Sequence, residues 1–365
     1  MFKRPLVAID IGSSAIKVVV LTGGKHKKLQ AAGLELLPVG AVVDGLLANP
    51  DVVGDVLAKL LKRLKISTRG RRAAIALGGS SVLIKKVLIE AKDKELAEQV
   101  YYEAEQQFQA DMAEIYFDYC PVGELGAGAG SANTQSQPGG RGQPVLMVGA
   151  KRDMVESFLA LIRSQGMRTG VVECGAFSVA NMFEHGYGPI QGLTALVNVG
   201  AALTQLSLLA NGKYVYTREI PIGGDEYSRH IMELLGVDRP NAETLKVAVS
   251  QGDANVPQQL HQVLGELNEQ LVSELQIGID YFLQNAEESD RGGSLNSVYL
   301  VGGGSRTLGL DAAIAAVLQI PVHIMNPFQR LEINAKKFST DYLIMQGHLY
   351  GVAVGLGLRS LDDQR

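Results

Sequence analysis

Apolar residues alternate with small or polar residues at the start of the chain. Val7, Ile9 and Ile11 occupy every second position, and residues 16–21 form a second, more continuous apolar run. A period of two residues predicts β-strands, and the Gly-Ser-Ser sequence between the runs predicts a tight turn. The pattern therefore predicts a β-hairpin over residues 6–21.

Helical and strand periods alternate along the remainder of the chain. Apolar spacings of three and four residues predict helices over 51–66, 92–109, 152–165, 175–184, most of 223–287, 307–318 and 341–358. Short β-rich runs predict strands over 73–77, 82–90, 115–122, 145–150, 169–174, three segments of 194–221, 298–301 and 320–324. Mixed elements of this kind predict an α/β fold.

Residues 123–144 follow neither period. They are rich in glycine and polar residues and contain no apolar run. We predict a flexible surface loop, because this composition cannot bury enough apolar surface to fold. The strand-like runs on either side of the loop, 115–122 and 145–150, are predicted to form a hairpin-like pair.

Two parts of the chain share one pattern. Residues 6–21 and 195–209 each contain an apolar strand, an Asp or Asn, one further residue, a glycine, a small turn and a second apolar strand. The two hairpins lie about 190 residues apart, and such a repeat indicates a duplicated fold with two related domains. The length of 365 residues also fits two or more domains.

The charge of the chain limits its partners. The net charge is −4 and the isoelectric point about 5.9, which excludes the overall basic character typical of a nucleic-acid-binding protein. Local basic runs occur at 25–28 and within 62–72. We interpret these runs as solvated surface, with contact to acidic lipid or to a partner as the alternative.

The sequence does not predict a membrane-spanning or disulfide-bonded protein. Asp10 comes too early for the apolar core of a signal peptide, and no apolar run approaches the ~18–20 residues that span a bilayer. Cys120 and Cys174 are too few for a disulfide framework. Both lie in apolar sequence and are predicted to be small core residues in a reducing cytoplasm.

The first hairpin carries residue types that suit a phosphate and a metal ion. Asp10 stands at a strand end and can hold Mg²⁺ through water. Small residues in the turn leave backbone N–H groups accessible to an oxyanion, and Lys17 on the return strand can reach a phosphate. Taken alone, the pattern is equally typical of a structural turn.

Three later elements extend this chemistry. Residues 198–204 offer a similar turn with a threonine hydroxyl. Residues 298–318 place three glycines after a strand, where a flat base could lie, and a helix N-terminus follows. Glu243 and Lys246 lie one helical turn apart and could hold ribose or adenine, although a surface ion pair explains them equally well.

In chain order, the first hairpin, the second hairpin, the Ala242–Lys246 segment and the glycine loop resemble the sugar-kinase, Hsp70 and actin superfamily. The resemblance implies an actin-like (ribonuclease H-like) α/β fold with duplicated domains, and ATP with Mg²⁺ between the two hairpins. It implies that Asp10 binds the metal ion and that the cofactor contacts fall in three groups: Asp10, Gly12, Ser13, Ser14 and Lys17; Asn198, Gly200, Ala201 and Thr204; and Gly224, Glu243, Lys246, Gly302, Gly303, Gly304 and Ser305.

Within this superfamily the chain resembles the PilM family of type IV pilus proteins. The resemblance rests on DIGSSAIK, on the block of residues 76–108, on REIPIGGDEYSRHIMELLGV with AETLK, and on the ending GVAVGLGLRS. It implies an inserted 1C-type subdomain, as also found in FtsA. The implied subdomains are 1A (1–75, 171–193 and 338–365), 1C (76–170), 2A (194–222 and 296–337) and 2B (223–295).

The same resemblance implies a partner and a location. The partner is the short N-terminal cytoplasmic peptide of the membrane protein PilN, lying in a groove between subdomains 1A and 1C. The strand at 82–90 and the helix at 95–108 are the expected places for groove residues. The chain is expected in the cytoplasm, peripheral to the inner membrane through that partner, and self-association is left open.

Two positions bear on whether ATP is hydrolysed. Asn198 stands where the superfamily usually has Asp, and an amide can donate and accept hydrogen bonds but cannot act as a base. ATP binding is therefore expected, with hydrolysis at most slow. Glu173 resembles a hinge position and is a candidate catalytic residue that would orient water, with a purely structural hinge as the alternative. The other functions left open are a small-molecule kinase of this fold and a filament-forming actin homologue.

Overall fold

The computed structural model describes residues 5–24, 26–79, 82–90, 95–122, 142–253, 255–286 and 291–361. Its strands are β1 (Val7–Ile11), β2 (Ala15–Leu21), β3 (Leu29–Leu36), β4 (Val42–Val43), β5 (Leu46–Leu47), β6 (Arg72–Leu77), β7 (Val82–Ile89), β8 (Ile115–Pro121), β9 (Gln143–Lys151), β10 (Arg168–Cys174), β11 (Leu193–Val199), β12 (Thr204–Ala210), β13 (Lys213–Ile220), β14 (Leu295–Val301) and β15 (Val322–Ile324).

The described helices follow the predicted positions closely. They are α1 (Pro50–Arg63), α2 (Leu96–Phe108), α3 (Arg152–Ser164), α4 (Gly175–Tyr187), α5 (Gly224–Leu235), α6 (Arg239–Ser250), α7 (Gln259–Asn285), α8 (Leu310–Leu318), α9 (Thr340–Gln346) and α10 (Gly351–Leu358). Short 3₁₀ helices cover Met112–Glu114, Gly303–Arg306 and Gly347–Tyr350. Among the described residues, no helix is both long and apolar enough to cross a bilayer.

Two five-stranded sheets have the same strand order. One runs β3-β2-β1-β6-β10 and the other runs β13-β12-β11-β14-β15. In each sheet the first three strands are antiparallel and the last two continue parallel to the central strand. The repeated order confirms the predicted duplication and the actin-like (ribonuclease H-like) α/β fold.

Helices α4 and α10 lie between these two sheets. A single apolar core joins Ala8 and Val19 of the first sheet, Leu196 and Val301 of the second, and both helices. The helices approach so closely that a Cβ atom on Gly355 would lie 1.8 Å from the carbonyl oxygen of Ser178. The small residues of the GVAVGLGL segment therefore allow backbone-to-backbone packing between the two large sheets.

The outer face of the second sheet carries its own helices. Leu271, Leu275 and Ile279 of α7 pack with Leu310 and Ile314 of α8 against this sheet. Residues of α5, α6 and the first half of α7 form a further small core. The amphipathic spacing of these helices explains why the sequence of 223–287 was recognisable as mostly helical.

Residues 79–158 form a separate compact unit. Its sheet has the order β7-β9-β8, and α2 packs on it through Val100, Ala104 and Phe108. Strands β8 and β9 pair antiparallel, from Ile115 opposite Lys151 to Pro121 opposite Val145, so the predicted hairpin-like pair is confirmed. Most of the predicted loop, 123–141, lies outside the described residues. The proposed subdomain boundaries remain predictions.

Three details differ from the sequence prediction. Strand β3 and the small β4–β5 hairpin were not predicted. The sequence of β3, LQAAGLEL, has no clear period. The hairpin sequence, VVDGLL, carries an Asp-Gly turn signal between two apolar pairs, and this signal was missed. The helix expected from residue 307 begins at Leu310, after a 3₁₀ turn. Cys120 is exposed rather than buried, whereas Cys174 is buried as predicted, and burial raises the pKa of the Cys174 thiol to about 12.

Candidate functional site

The first hairpin places a lysine and an aspartate together at its turn. Asp10 and Lys17 lie opposite each other in the β1–β2 pairing, and the Lys17 Nζ lies 3.3 Å from the Asp10 Oδ2. The turn closes through a 3.1 Å hydrogen bond from the Gly12 N–H to the Ala15 carbonyl. A Cβ on Gly12 would lie 3.2 Å from the Lys17 Nζ, so the glycine leaves room for the ammonium group beside the turn.

The second hairpin repeats this geometry with neutral side chains. The Gly200 N–H donates to the Leu203 carbonyl at 2.9 Å, as Gly12 does in the first turn. In the β11–β12 register, Asn198 lies opposite Gln205, so these residues occupy the places of Asp10 and Lys17. Gln205 was not predicted as a site residue, although alignment of the two hairpins by register would have found it.

The second turn also supports the start of α5. The Gly200 carbonyl accepts the Gly224 N–H at 2.9 Å, and the Ala201 carbonyl accepts the Asp225 N–H at 2.8 Å. The hydroxyl of Thr204, which is fully buried, donates to the Ile222 carbonyl at 2.6 Å. The predicted contacts at Gly200, Ala201 and Gly224 are thus brought together, while the Thr204 hydroxyl stabilises the segment before α5.

Lys246 and Glu243 meet at the same helix start. The Lys246 Nζ donates to the Gly224 carbonyl at 2.8 Å and to the Ser228 Oγ at 2.7 Å, and it lies 2.9 Å from the Glu243 Oε2. Three acceptors match the three N–H groups of an ammonium. Ser228, which is fully buried and also donates to Glu243, is a site residue that the sequence analysis missed.

The glycine loop after β14 packs against the second hairpin. Gly302 has a φ of +90°, and a Cβ there would lie 2.4 Å from the Val199 carbonyl oxygen and 2.5 Å from the Asn198 Oδ1. A Cβ on Gly304 would lie 2.4 Å from a Val199 methyl group. Ser305 closes the turn by donating its hydroxyl to the Gly302 carbonyl at 2.7 Å. The glycine loop, which is the predicted adenosine region, therefore lies in direct contact with Asn198 of the second hairpin.

Gly302 and Gly303 should differ in how much an added side chain destabilises the protein. Gly303 is exposed, and a Cβ on it would meet only Leu349, at an ordinary 3.5 Å. We expect Gly302→Ala to lower the free energy of unfolding by about 3 kcal/mol or more, because it adds a clash to an unfavourable φ. We expect Gly303→Ala to change it by less than about 1 kcal/mol. Urea unfolding of both variants measures the difference, and equal losses would contradict this packing.

Glu173 lies buried at the end of β10, between three donors. Its oxygens accept from the Ser178 Oγ at 2.8 Å and the Asn181 Nδ2 at 2.9 Å, and it forms an ion pair with Arg359. Burial raises the pKa of Glu173, although Arg359 and the two hydrogen bonds act in the opposite direction. The structure therefore shows a carboxylate that connects β10, α4 and the end of α10, and its catalytic role remains a prediction.

Asp10 is the candidate metal ligand of the site. The described residues contain no group of three or more His, Cys, Asp or Glu side chains that could hold a metal ion. Asp10 offers one carboxylate at the first turn, which fits Mg²⁺ bound mainly by water and phosphate oxygens.

The fold and the paired turns define the class of the protein. The duplicated sheets with a glycine-bearing turn at the end of each central hairpin are those of the actin-like ATPase fold. Solved structures with the same fold include ethanolamine utilization protein EutJ from Carboxydothermus hydrogenoformans, with TM-score 0.54, 15% identity, and 99% of this chain and 91% of that chain covered. MreB 5 of Spiroplasma citri bound to AMPPNP gives TM-score 0.52 and 13% identity, with 96% of this chain and 94% of that chain covered.

The family of the protein follows from a family model that matches nearly the whole chain. The family model described as type IV pilus assembly protein PilM matches residues 8–361, so the chain belongs to the PilM family. A chain of a structure described as the PilM-PilN type IV pilus biogenesis complex gives TM-score 0.84 and 23% identity over 98% of both chains. The predicted resemblance is confirmed, and membership of this family favours pilus assembly over the kinase and filament alternatives.

Proposed function

We propose that this chain acts in type IV pilus assembly by binding Mg–ATP and by holding the N-terminal cytoplasmic peptide of PilN. The observation that carries the proposal is the similarity to a chain of the PilM-PilN complex over 98% of both chains. Binding of a membrane-anchored peptide would hold the chain at the cytoplasmic side of the inner membrane.

The nucleotide would lie against both hairpin turns. Lys17 lies beside the Gly12 turn with its side chain 15% exposed, and its ammonium group suits a charge-assisted hydrogen bond to a phosphate. Asp10 would hold Mg²⁺ through water. The open surface of Gly303 and the side chain of Glu243, which is 41% exposed, would face the adenosine.

Turnover of the nucleotide is proposed to be slow. The second hairpin carries Asn198 and Gln205, and neither amide can accept a proton from water near neutral pH. Glu173, the remaining candidate base, has its carboxylate oxygens occupied by Ser178, Asn181 and Arg359. These contacts support a protein that uses ATP mainly as a bound ligand.

The PilN peptide is proposed to pair with strand β7. In the described part of the 79–158 unit, β7 is an outer strand with β9 on one side only. An extended peptide can add main-chain hydrogen bonds along such an edge while its side chains contact exposed apolar groups. Leu88 of β7 is 46% exposed, and Tyr101 and Tyr102 of α2 are 47% and 60% exposed.

A peptide titration tests this proposal. A synthetic peptide with the N-terminal cytoplasmic sequence of the cognate PilN is titrated into the full chain by calorimetry. We expect Leu88→Asp to weaken binding about tenfold or more, because it places a charge in an apolar contact. The matched control is Leu234→Asp, on α5, where the leucine is 43% exposed. Absence of binding to the wild-type chain would refute the partner, and equal affinities of the two variants would refute β7 as its site.

A further inference from the structure

Two separate parts of the chain bring their basic residues to one end of the first sheet. Arg72 at the start of β6 is the direct partner of Arg168 at the start of β10. The Arg168 N–H donates to the Arg71 carbonyl, and a Cβ on Gly166 would lie 3.3 Å from the Thr68 hydroxyl. The parallel pairing of β6 with β10 therefore places segment 163–170 beside segment 62–72.

The two segments carry only one sign of charge. Segments 62–72 and 163–170, all of whose residues are described, contain eight Lys or Arg and no Asp or Glu. Arg63 is paired with Glu35. The other exposed cations of the two segments are named here the basic end, whatever contacts they make: Lys62, Lys65, Arg69, Arg72, Arg163 and Arg168. Asp362 and Asp363, which follow Leu361 in the chain, lie outside the described residues.

The rest of the chain has the opposite charge. Without the eight cations of these segments, the net charge would be −12 instead of −4. An anionic surface therefore attracts this end, whereas the net charge of the remainder opposes binding. Such a distribution orients the protein on approach, because the field of a charged surface acts on the whole charge distribution.

We propose that the basic end binds the phosphate groups of an anionic lipid bilayer. Four of its six cations are arginines, whose planar guanidinium groups suit phosphate oxygens. Neither segment contributes to the large apolar side chains that are exposed in the described structure, so it lacks the aromatic and aliphatic centre typical of a protein interface. It also lacks aromatic residues that would stack on nucleic-acid bases.

The position of the basic end separates it from the candidate nucleotide site. It lies at the amino ends of β6 and β10, whereas the Gly12 turn follows the carboxyl end of β1, which runs parallel to β6. Strand β6 has six residues, which separates the two ends by about 16 Å. Direct lipid contact at this end would add to attachment through PilN, and it depends neither on that peptide nor on ATP.

Vesicle sedimentation tests the proposal with the full chain. Vesicles of phosphatidylcholine containing about 30% phosphatidylglycerol are compared with pure phosphatidylcholine vesicles at about 0.05 M and 0.5 M salt, which differ strongly in screening length. We expect binding to the anionic vesicles only, and much less at the higher salt concentration. Each cation near such a surface contributes about fivefold in partitioning, so Lys65→Glu/Arg72→Glu/Arg168→Glu should reduce binding by more than about 100-fold.

A control with the same change in net charge makes the result specific. Arg291, Arg330 and Lys336 are exposed and lie outside the basic end, and their triple change to Glu should retain most of the binding. If the melting temperature shows that the triple Glu variant of Lys65, Arg72 and Arg168 does not fold, the same three residues are changed to Gln instead. Lack of anionic-vesicle binding at low salt, or equal losses in both triple variants, would overturn the proposal. Binding to duplex DNA or RNA in preference to the vesicles would overturn it as well.

Discussion

Lys17→Ala is expected to abolish the stabilisation that Mg–ATP gives to the wild-type chain. A ligand present at 100 times its dissociation constant stabilises the native state by about 2.7 kcal/mol. The Lys17 ammonium group, held 3.3 Å from Asp10 and beside Gly12, is the charge that the first turn offers to a phosphate. Its removal leaves the turn amides without that charge, and thermal melting with and without Mg–ATP measures the loss.

The control for this experiment is an exposed lysine that belongs to neither turn. Lys336→Ala removes a positive charge from the surface and should keep the full response to Mg–ATP. Without nucleotide, Lys17→Ala should itself cost no more than about 1 kcal/mol, since the pair with Asp10 is partly accessible to solvent. An unchanged response in Lys17→Ala would refute the phosphate site at this turn. The absence of any response in the wild-type chain would refute nucleotide binding itself.

Arg359 at the end of α10 forms an ion pair with Glu173 of β10. Of the two single substitutions to alanine at this pair, Arg359→Ala is expected to destabilise the protein more. The Glu173 side chain is 5% exposed, whereas that of Arg359 is 28% exposed. Removal of the arginine leaves a carboxylate that cannot reach water, and breaking a buried pair in this way costs about 3 kcal/mol. Glu173→Ala should cost less, because Arg359 can turn toward solvent. Chemical unfolding of the two single variants and the double variant separates these contributions.

The pH dependence of Arg359→Ala follows from the direction of the pKa shift. Burial already raises the pKa of Glu173, and Arg359 is the largest opposing influence, so its removal raises the pKa further. A carboxyl group with a raised native pKa stabilises the fold most when protonated, and this stability is lost as the pH rises through the native pKa. The deficit relative to the wild-type chain should therefore be largest near neutral pH and shrink toward about pH 4. A deficit independent of pH would contradict the role of the Glu173 charge.

Local patterns predicted the hairpins and most helices, whereas the partners of the site residues depend on distant parts of the chain. Strands β1, β2, β11 and β12 were recognisable because each hairpin combines alternation or an apolar run with a turn of small residues. Strand β3 was missed because its sequence, LQAAGLEL, has no regular period.

Contacts between residues far apart in sequence account for the other differences. Arg359 lies 186 positions from Glu173, and no local pattern connects them. The exposure of Cys120 depends on its place at the end of β8, an outer strand of its sheet, and apolar neighbours in sequence do not reveal this. The basic end is visible in sequence as one charged run, and only the pairing of β6 with β10 adds Arg163 and Arg168 to it.

The contact of Gly355 with Ser178 also limits how the two large sheets can move. Sliding of packed helices usually proceeds through small adjustments of a layer of side chains, and at this point α4 and α10 have no such layer. A rotation about the contact keeps the two backbones touching, whereas a translation must separate them. The helix pair thus has the properties of a pivot, and opening or closing of the two halves should be a scissor-like rotation through Gly355.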